Sequence, residues 1–254
     1  MDELFAVLLA GAFGAVMGSF LNVCVYRIPA GQSVVHPRSR CPSCKQPIAW
    51  RDNVPIISWL VLRGRCRWCL QPISVQYPLV EAIVALLWAV SVIVWGPSAK
   101  AVTAGALGTI LLGIALVNGK TNLIPDEFTL AGLVIGLGLS LTGGQQAFIS
   151  ALIGAAAGFA LLWIIDRVAG LVFKDEGAGG SSAKMMAMVG SFVGWRGVLI
   201  TIIAAVIGSV MFVPLSLRKK RLLPFGVFLA VGAAVACVFG DAIIAWYGHF
   251  LKGD

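Results

Sequence analysis

Apolar residues occupy long runs of this chain, and polar residues collect in the gaps between them. The runs fall at about 4–26, 79–96, 100–117, 128–142, 147–170, 184–195, 197–217 and 223–247. A helix needs about 20 apolar residues to cross the hydrocarbon core of a bilayer. The sixth run, with Met185-Met186-Ala187-Met188-Val189-Gly190, is short and reads either as a partial span or as one broken helix with the seventh. The pattern predicts an all-α polytopic membrane protein of about eight transmembrane helices, with six or seven left open. Because apolar runs recur to the end of the chain, a signal peptide cannot be the sole apolar segment.

Composition narrows the class. The chain has 254 residues, of which 59% are hydrophobic and 12% charged, and its mean hydropathy is +0.94. Soluble domains carry about 45–50% apolar and about 25% charged residues. Collagen, disorder and secreted disulfide scaffolds are excluded on the same grounds. Glycines inside the runs (Gly105, Gly108, Gly113, Gly132, Gly136, Gly138, Gly154, Gly158) permit close helix approach, and plain packing is their simplest reading.

A net charge of +8 could point to nucleic acid. Its distribution argues against that partner and for membrane lipid, because the cations sit in loops between apolar runs. Arg27, Arg38, Arg40, Lys45, Arg51, Arg63, Arg65 and Arg67 follow the first run, and Arg218-Lys219-Lys220-Arg221 precedes the last. The positive-inside bias places both loops in the cytoplasm. Eight crossings satisfy this with both termini outside, and seven do not. The same parity puts Asn118–Glu127 and Lys174–Lys184 on the cytoplasmic side. The expected organisation is a first transmembrane helix at 1–27, a cytoplasmic insertion at 28–77 and a transmembrane core at 78–254.

The insertion carries the first candidate chemistry. Cys41-Pro42-Ser43-Cys44 and Cys66-Arg67-Trp68-Cys69 are two C-x-x-C pairs, 21 residues apart. Two such turns can complete a tetrahedron of thiolates around zinc. Paired disulfides are the rival, but a reducing cytoplasm disfavours them, and redox chemistry is the remaining alternative. Four cysteines leave no open coordination position, so a zinc here would be structural. Cys24 and Cys237 lie in apolar runs and read as small hydrophobes. His36 and His249 sit in no ligand pattern.

Two polar stretches lie at the predicted membrane face, where ionisable groups are costly. In Asn118-Gly119-Lys120-Thr121-Asn122-Leu123-Ile124-Pro125-Asp126-Glu127, Pro125 breaks a helix and Asp126 can cap the next. Glu176-Gly177-Ala178-Gly179-Gly180-Ser181-Ser182-Ala183-Lys184 could cradle a phosphate, but it lacks P-loop or dinucleotide spacing.

Across nearly its whole length, the chain resembles the bacterial type IV prepilin peptidases, aspartic proteases of the membrane. The resemblance rests on Gly18-Ser19-Phe20-Leu21-Asn22-Val23 with Tyr26-Arg27-Ile28-Pro29, and on the double C-x-x-C loop holding Asp52-Asn53-Val54-Pro55 and Arg63-Gly64-Arg65-Cys66. Tyr77-Pro78-Leu79-Val80-Glu81, Ile124-Pro125-Asp126 and the glycine-rich stretch ending at Lys184 complete it. The resemblance implies cleavage of the basic leader of prepilins or pseudopilins, after a glycine, at the cytoplasmic face of the bacterial inner membrane. It also implies N-methylation of the new terminus in many relatives, with S-adenosylmethionine as donor and the Cys41–Cys69 loop as contributor. Asn22, Glu81, Asp126 and Lys184 are candidate substrate or cofactor contacts, with helix-end solvation as the plainer reading of Asn22 and Glu81.

In that family one aspartate activates water and the other protonates the leaving amine. The first lies eight residues before the Asp of the Pro-Asp pair, and the second lies two before the lysine of Gly-x-Gly-Asp-x-Lys. Here those positions hold Asn118 and Ser182. Neither side chain is an acid or base near neutrality, so the expectation is binding without cleavage. Asp126, Asp175 and Glu176 are poorly placed as substitutes, and Ser182 with Lys184 at i, i+2 does not make a facing dyad. Ala178 and Ser181, where the family favours Met and Gly, fit drift or a block substitution; intact surroundings fit deliberate replacement. Two other classes compete: a non-catalytic prepilin-binding or assembly factor on the same fold, and a transporter. No internal repeat supports the transporter.

Overall fold

A computed structural model of the chain describes the backbone of residues 2–173, 180–219 and 225–252, with the side chains of 169–173, 212–219 and 247–252 left out. Asp175, Glu176, the glycine-rich run through Gly179, and Lys220 with Arg221 lie outside the described residues, as do the side chains of Arg218, Lys219 and His249.

The apolar runs fold as helices: α1 (Asp2–Arg27), α3 (Gln76–Trp95), α4 (Ala99–Thr121), α5 (Asp126–Ser140), α6 (Gly144–Phe173), α7 (Ser181–Lys219) and α8 (Phe225–Lys252). A five-residue helix, α2 (Ile57–Val61), lies in the insertion. Six stretches of the described residues are long and apolar enough to cross a bilayer, and two of these fold back on themselves. One is 126–168, interrupted between α5 and α6 where Gly144 takes φ 81°. The other is α7, which leaves helical geometry at Gly194 (φ 67°, ψ 178°).

Contacts show what the Gly194 break does. A Cβ on Gly158 would stand 3.0 Å from the Met186 carbonyl carbon and 3.4 Å from a Val198 methyl. Those residues would lie about 18 Å apart along a straight helix. α7 is therefore a hairpin of two antiparallel arms, and the sixth and seventh apolar runs are two helices joined by a glycine reversal. The described residues thus hold eight apolar helical segments. The arm 181–193 and α5 are short, at about 20 Å and 22 Å.

Packing divides the chain inside α4, between Thr109 and Ile110. In the first unit α1 and α3 run antiparallel, with Gly11 against Ala85, Gly14 against Val84 and Gly18 against Glu81. A Cβ on Gly14 would reach 2.7 Å from the Val84 carbonyl oxygen, so glycine sets this approach. Phe13 meets Trp88 edge to face at 4.7 Å, and Trp88 Nε1 donates to Thr109 Oγ1 at 3.0 Å. The outer side of α1 exposes Leu4, Phe5, Leu8 and Leu9, as a lipid-facing helix does.

In the second unit, Gly132 and Gly136 of α5 face Met188 and Ser191 of α7, so α5 runs parallel to the first arm. Gly154 and Gly158 of α6 face Gly190 and Met186, so α6 runs opposite to it. Gly208 and Gly232 bring the second arm and α8 together in antiparallel register, against Phe228 and Thr201 respectively. Directions alternate from α4 through α8. The C-terminal end of α4 and the N-terminal ends of α5, α7 and α8 therefore gather at one end of this unit.

Replacing Gly194 with alanine tests the reversal. Its φ and ψ lie in a region that is nearly glycine-only, where another residue costs about 1–3 kcal/mol. Gly194→Ala is expected to lower the thermal unfolding midpoint in detergent, and an unchanged midpoint would count against the hairpin.

Candidate functional site

The insertion builds the cysteine cluster from a local repeat. Arg40-Cys41-Pro42-Ser43-Cys44-Lys45-Gln46-Pro47-Ile48 matches Arg65-Cys66-Arg67-Trp68-Cys69-Leu70-Gln71-Pro72-Ile73 in its Arg-Cys start, its second Cys and its Gln-Pro-Ile end. Each half folds as the same turn. Cys41 N–H donates to Gln46 O at 3.0 Å and Cys66 N–H to Gln71 O at 2.9 Å. Lys45 and Leu70 both take positive φ, at 60° and 58°. A single β-bridge closes each knuckle, Arg40 with Pro47 and Arg65 with Pro72. The repeat has a period of 25 residues, from Arg40 to Arg65, and its signal lies in the Arg-Cys starts and Gln-Pro-Ile ends as well as in the cysteine spacing.

The two knuckles bring four sulfurs within 4.8 Å of one another. Cys41 Sγ and Cys69 Sγ are 3.8 Å apart, and Cys44 Sγ and Cys66 Sγ 4.0 Å. Zinc–sulfur bonds of about 2.3 Å make a tetrahedron with edges of about 3.8 Å, so the cluster has the dimensions of a tetrathiolate centre. Among the described residues no disulfide forms. The Cys44 N–H, opposed by desolvation and helped by the Ser43 N–H, holds the Cys41 thiol down at about 6. At Cys69 the Gln71 N–H favours thiolate, but desolvation and the three facing sulfurs push the group up to about 11. A zinc ion at the centre of such a cluster binds its cysteine ligands as thiolates.

Supports for the loop come from both its own chain and α3. Asp52 takes a two-pronged ion pair from Arg67, with Nε to Oδ2 at 2.7 Å, which holds its carboxyl below the usual range. Trp59 Nε1 donates to Ile73 O at 3.1 Å. Gly64, at φ 66°, lies under the Trp59 ring, where a Cβ would approach within 2.8 Å. Asn22 and Glu81 are both buried, and each serves the backbone: Asn22 Nδ2 donates to Tyr77 O at 3.1 Å, and Glu81 Oε2 accepts the Ile56 N–H at 2.7 Å. Ile56 has φ 63°, so the carboxylate clamps a strained turn leading into α2.

Asn118, Ser182, Asp126 and Lys184 lie at the gathered helix ends of the second unit. α4 runs on to Thr121, past the last residue of its apolar run, and so carries Asn118 in its final turns. Asn118 is 3% exposed and Ser182, the second residue of α7, is 7% exposed. Asn118 Nδ2 donates to Leu123 O at 3.4 Å, while its Oδ1 has no hydrogen-bond partner among the described residues. α8 begins against this side chain: a Cβ on Gly226 would fall 2.9 Å from both Cγ and Oδ1 of Asn118.

The capping role expected of Asp126 is not seen. Pro125 takes the N-cap position with no side-chain bond, and Asp126 is the first helical residue. Its Oδ2 instead pairs with Lys184 Nζ at 2.6 Å, joining the starts of α5 and α7. This pair occupies the nearest described carboxylate in sequence to Asn118 and draws Lys184 away from a role beside Ser182.

The model of the bacterial Peptidase A24 N-terminal domain matches residues 12–95, and that of the type IV leader peptidase family matches 105–213. A protein of Aeromonas hydrophila described as "Prepilin leader peptidase/N-methyltransferase" is 33% identical over 92% of this chain and 91% of its own length. The chain belongs to the prepilin leader peptidase family. Relatives of the same description include one from Pectobacterium carotovorum subsp. carotovorum, 36% identical over 91% of this chain and 90% of its own length. Another, from Myxococcus xanthus (strain DK1622), is 39% identical over 86% of this chain, which spans 65% of that relative. No solved structure matches the chain. The cysteine loop, Asn22 and Glu81 fall in the N-terminal match, and Asn118, Asp126, Ser182 and Lys184 in the peptidase match. Gly226 lies beyond both.

Two substitutions should separate structural from superficial contacts. Overpacking by Gly226→Ala is expected to cost about 1–3 kcal/mol. Lys184→Met breaks a half-exposed ion pair and should cost less than about 1 kcal/mol. Denaturant unfolding in detergent measures both, and the reverse order would show that Gly226 is loosely packed.

Proposed function

We propose that this chain has the frame of a leader peptidase for prepilins or pseudopilins, but recognises its substrate without cutting it. The observation that carries this reading is the burial of Asn118 and Ser182 at helix ends gathered in one place. A peptidase of the aspartic type needs one carboxylate to take a proton from water and a second to give one to the leaving amine. A carboxamide at 118 cannot accept that proton, and a hydroxyl at 182 holds its own too tightly. Asp126 does not replace them, because its carboxylate is engaged by Lys184.

The remainder of the family reading follows from the same frame. The basic leader approaches from the cytoplasm, the scissile bond follows a glycine, and the gathered helix ends of the second unit face that side. Zinc holds the four thiolates as a structural centre. Methylation of a new N-terminal amine, in the relatives that perform it, requires a methyl donor such as S-adenosylmethionine, and we assign the contribution to the first unit and its Cys41–Cys69 loop. A binder or assembly factor on the same fold is favoured by one observation, the burial of Asn118 and Ser182, which are not acids, at the gathered helix ends.

Purified chain incubated with a prepilin should leave the precursor uncut on a gel, and cleavage would refute the inactive reading. The double change Asn118→Asp with Ser182→Asp should switch cleavage on, while either single change should not. A well-folded but inactive double variant would favour the binder. Elemental analysis is expected to give one zinc per chain, removable only with loss of the loop's fold; a clear departure from one would defeat the tetrathiolate. A cysteine placed beside Lys219 should resist labelling from outside intact cells, and labelling would overturn the orientation.

A further inference from the structure

The insertion displays its apolar side outward. In α2, Ile57, Leu60 and Val61 stand at i, i+3 and i+4, and so share one face. They are 59%, 61% and 71% exposed, while Ser58 on the other side is buried. Val61 and Leu70 line an open cleft of about 520 Å³ together with Leu62, Arg63, Arg65 and Arg67. Arg63 and Arg65 are exposed, and Trp68 of the second knuckle is 69% exposed. Between residues 31 and 75 the chain has Arg38, Arg40, Lys45, Arg51, Arg63, Arg65 and Arg67 against a single carboxylate, Asp52, which Arg67 already occupies.

We propose that this face, built on α2 and the second knuckle, docks on an anionic lipid surface. A short helix with an outward apolar face, flanked by arginines and an exposed tryptophan, has the chemistry of an interfacial anchor. Anionic headgroups complement the arginines, and each cation near such a surface adds attraction. Position supports the same occupant. The insertion leaves α1 at Arg27 and re-enters α3 at Gln76, both of them candidate membrane spans, so it is tethered at both ends within reach of headgroups. The basic leader of a prepilin is repelled by the same arginines. A second copy meeting this face about a two-fold axis would set Arg63 and Arg65 against their own equivalents. The proposal rests on the cytoplasmic placement of the loop, where anionic lipid is plentiful, and not on the peptidase reading.

The test uses full-length chain, one per lipid nanodisc, made with phosphatidylcholine alone or with one quarter phosphatidylglycerol. Amide hydrogen exchange over residues 57–70 is expected to be at least about fivefold slower in the anionic discs, the factor that one arginine near such a surface supplies. Leu60→Ser with Val61→Ser, and separately Arg63→Gln with Arg65→Gln, should return exchange to the neutral-disc rate. Exchange over residues 41–48 should stay unchanged in both variants, which verifies that the first knuckle remains folded. Equal rates in the two kinds of disc would overturn the proposal. So would slowing by millimolar inorganic phosphate in neutral discs, which would mark an anion cleft. Slowing that needs two chains per disc, or an added prepilin, would likewise overturn it in favour of self-association or substrate docking.

Discussion

Where α6 crosses the first arm of α7, Gly154 and Gly190 meet backbone to backbone, and the layout of the second unit depends on that contact. A Cβ on either glycine would collide with the main chain of the other. Lipid tails are as apolar as leucine, so helices in a bilayer associate through close packing and not through water exclusion. Small residues at the crossing let the two helices approach. From that fixed pair, Gly132 and Gly136 set α5 beside α7, and Gly232 sets α8 against the second arm through Thr201. The register of these crossings carries the polar helix ends to one end of the unit.

The two polar groups at that end of the unit differ in how well they are satisfied. Asn118 loses water on entering the unit, and its Oδ1 gains no described partner. An unmet buried acceptor costs about 1–3 kcal/mol, a cost that the Nδ2 bond to Leu123 O offsets only in part. The Asp126–Lys184 pair, by contrast, is half exposed, and its value lies in bringing two helix starts together more than in stability.

Much of this was legible in the sequence because membrane helices report themselves through long apolar runs. All eight runs are found as helical segments, and the four cysteines at two C-x-x-C spacings converge as their chemistry requires. The short sixth run was ambiguous because hydropathy records how apolar a segment is and not where its backbone turns; only the contacts of Gly158 separate a hairpin from a bent rod. Asp126 followed by a helix reads locally as a cap, whereas its actual partner lies 58 residues away. Glu81 and Asn22 likewise look like helix-end polar residues, and only tertiary structure shows the Ile56 amide and the Tyr77 carbonyl that they serve.

The twin knuckles bracket the middle of the insertion. Each half contributes two ligands and is closed by its own bridge and its own turn, while Asp52 and Trp59 of the joining chain brace the second half through Arg67 and the Ile73 carbonyl. The stretch between Ile48 and Arg65 is then held at both ends by the knuckles. Changes in its surface, such as on the outward face of α2, leave the clamp in place as long as Asp52 and Trp59 keep their contacts. A new surface can thus evolve at the foot of α1 and α3 without any membrane helix having to move.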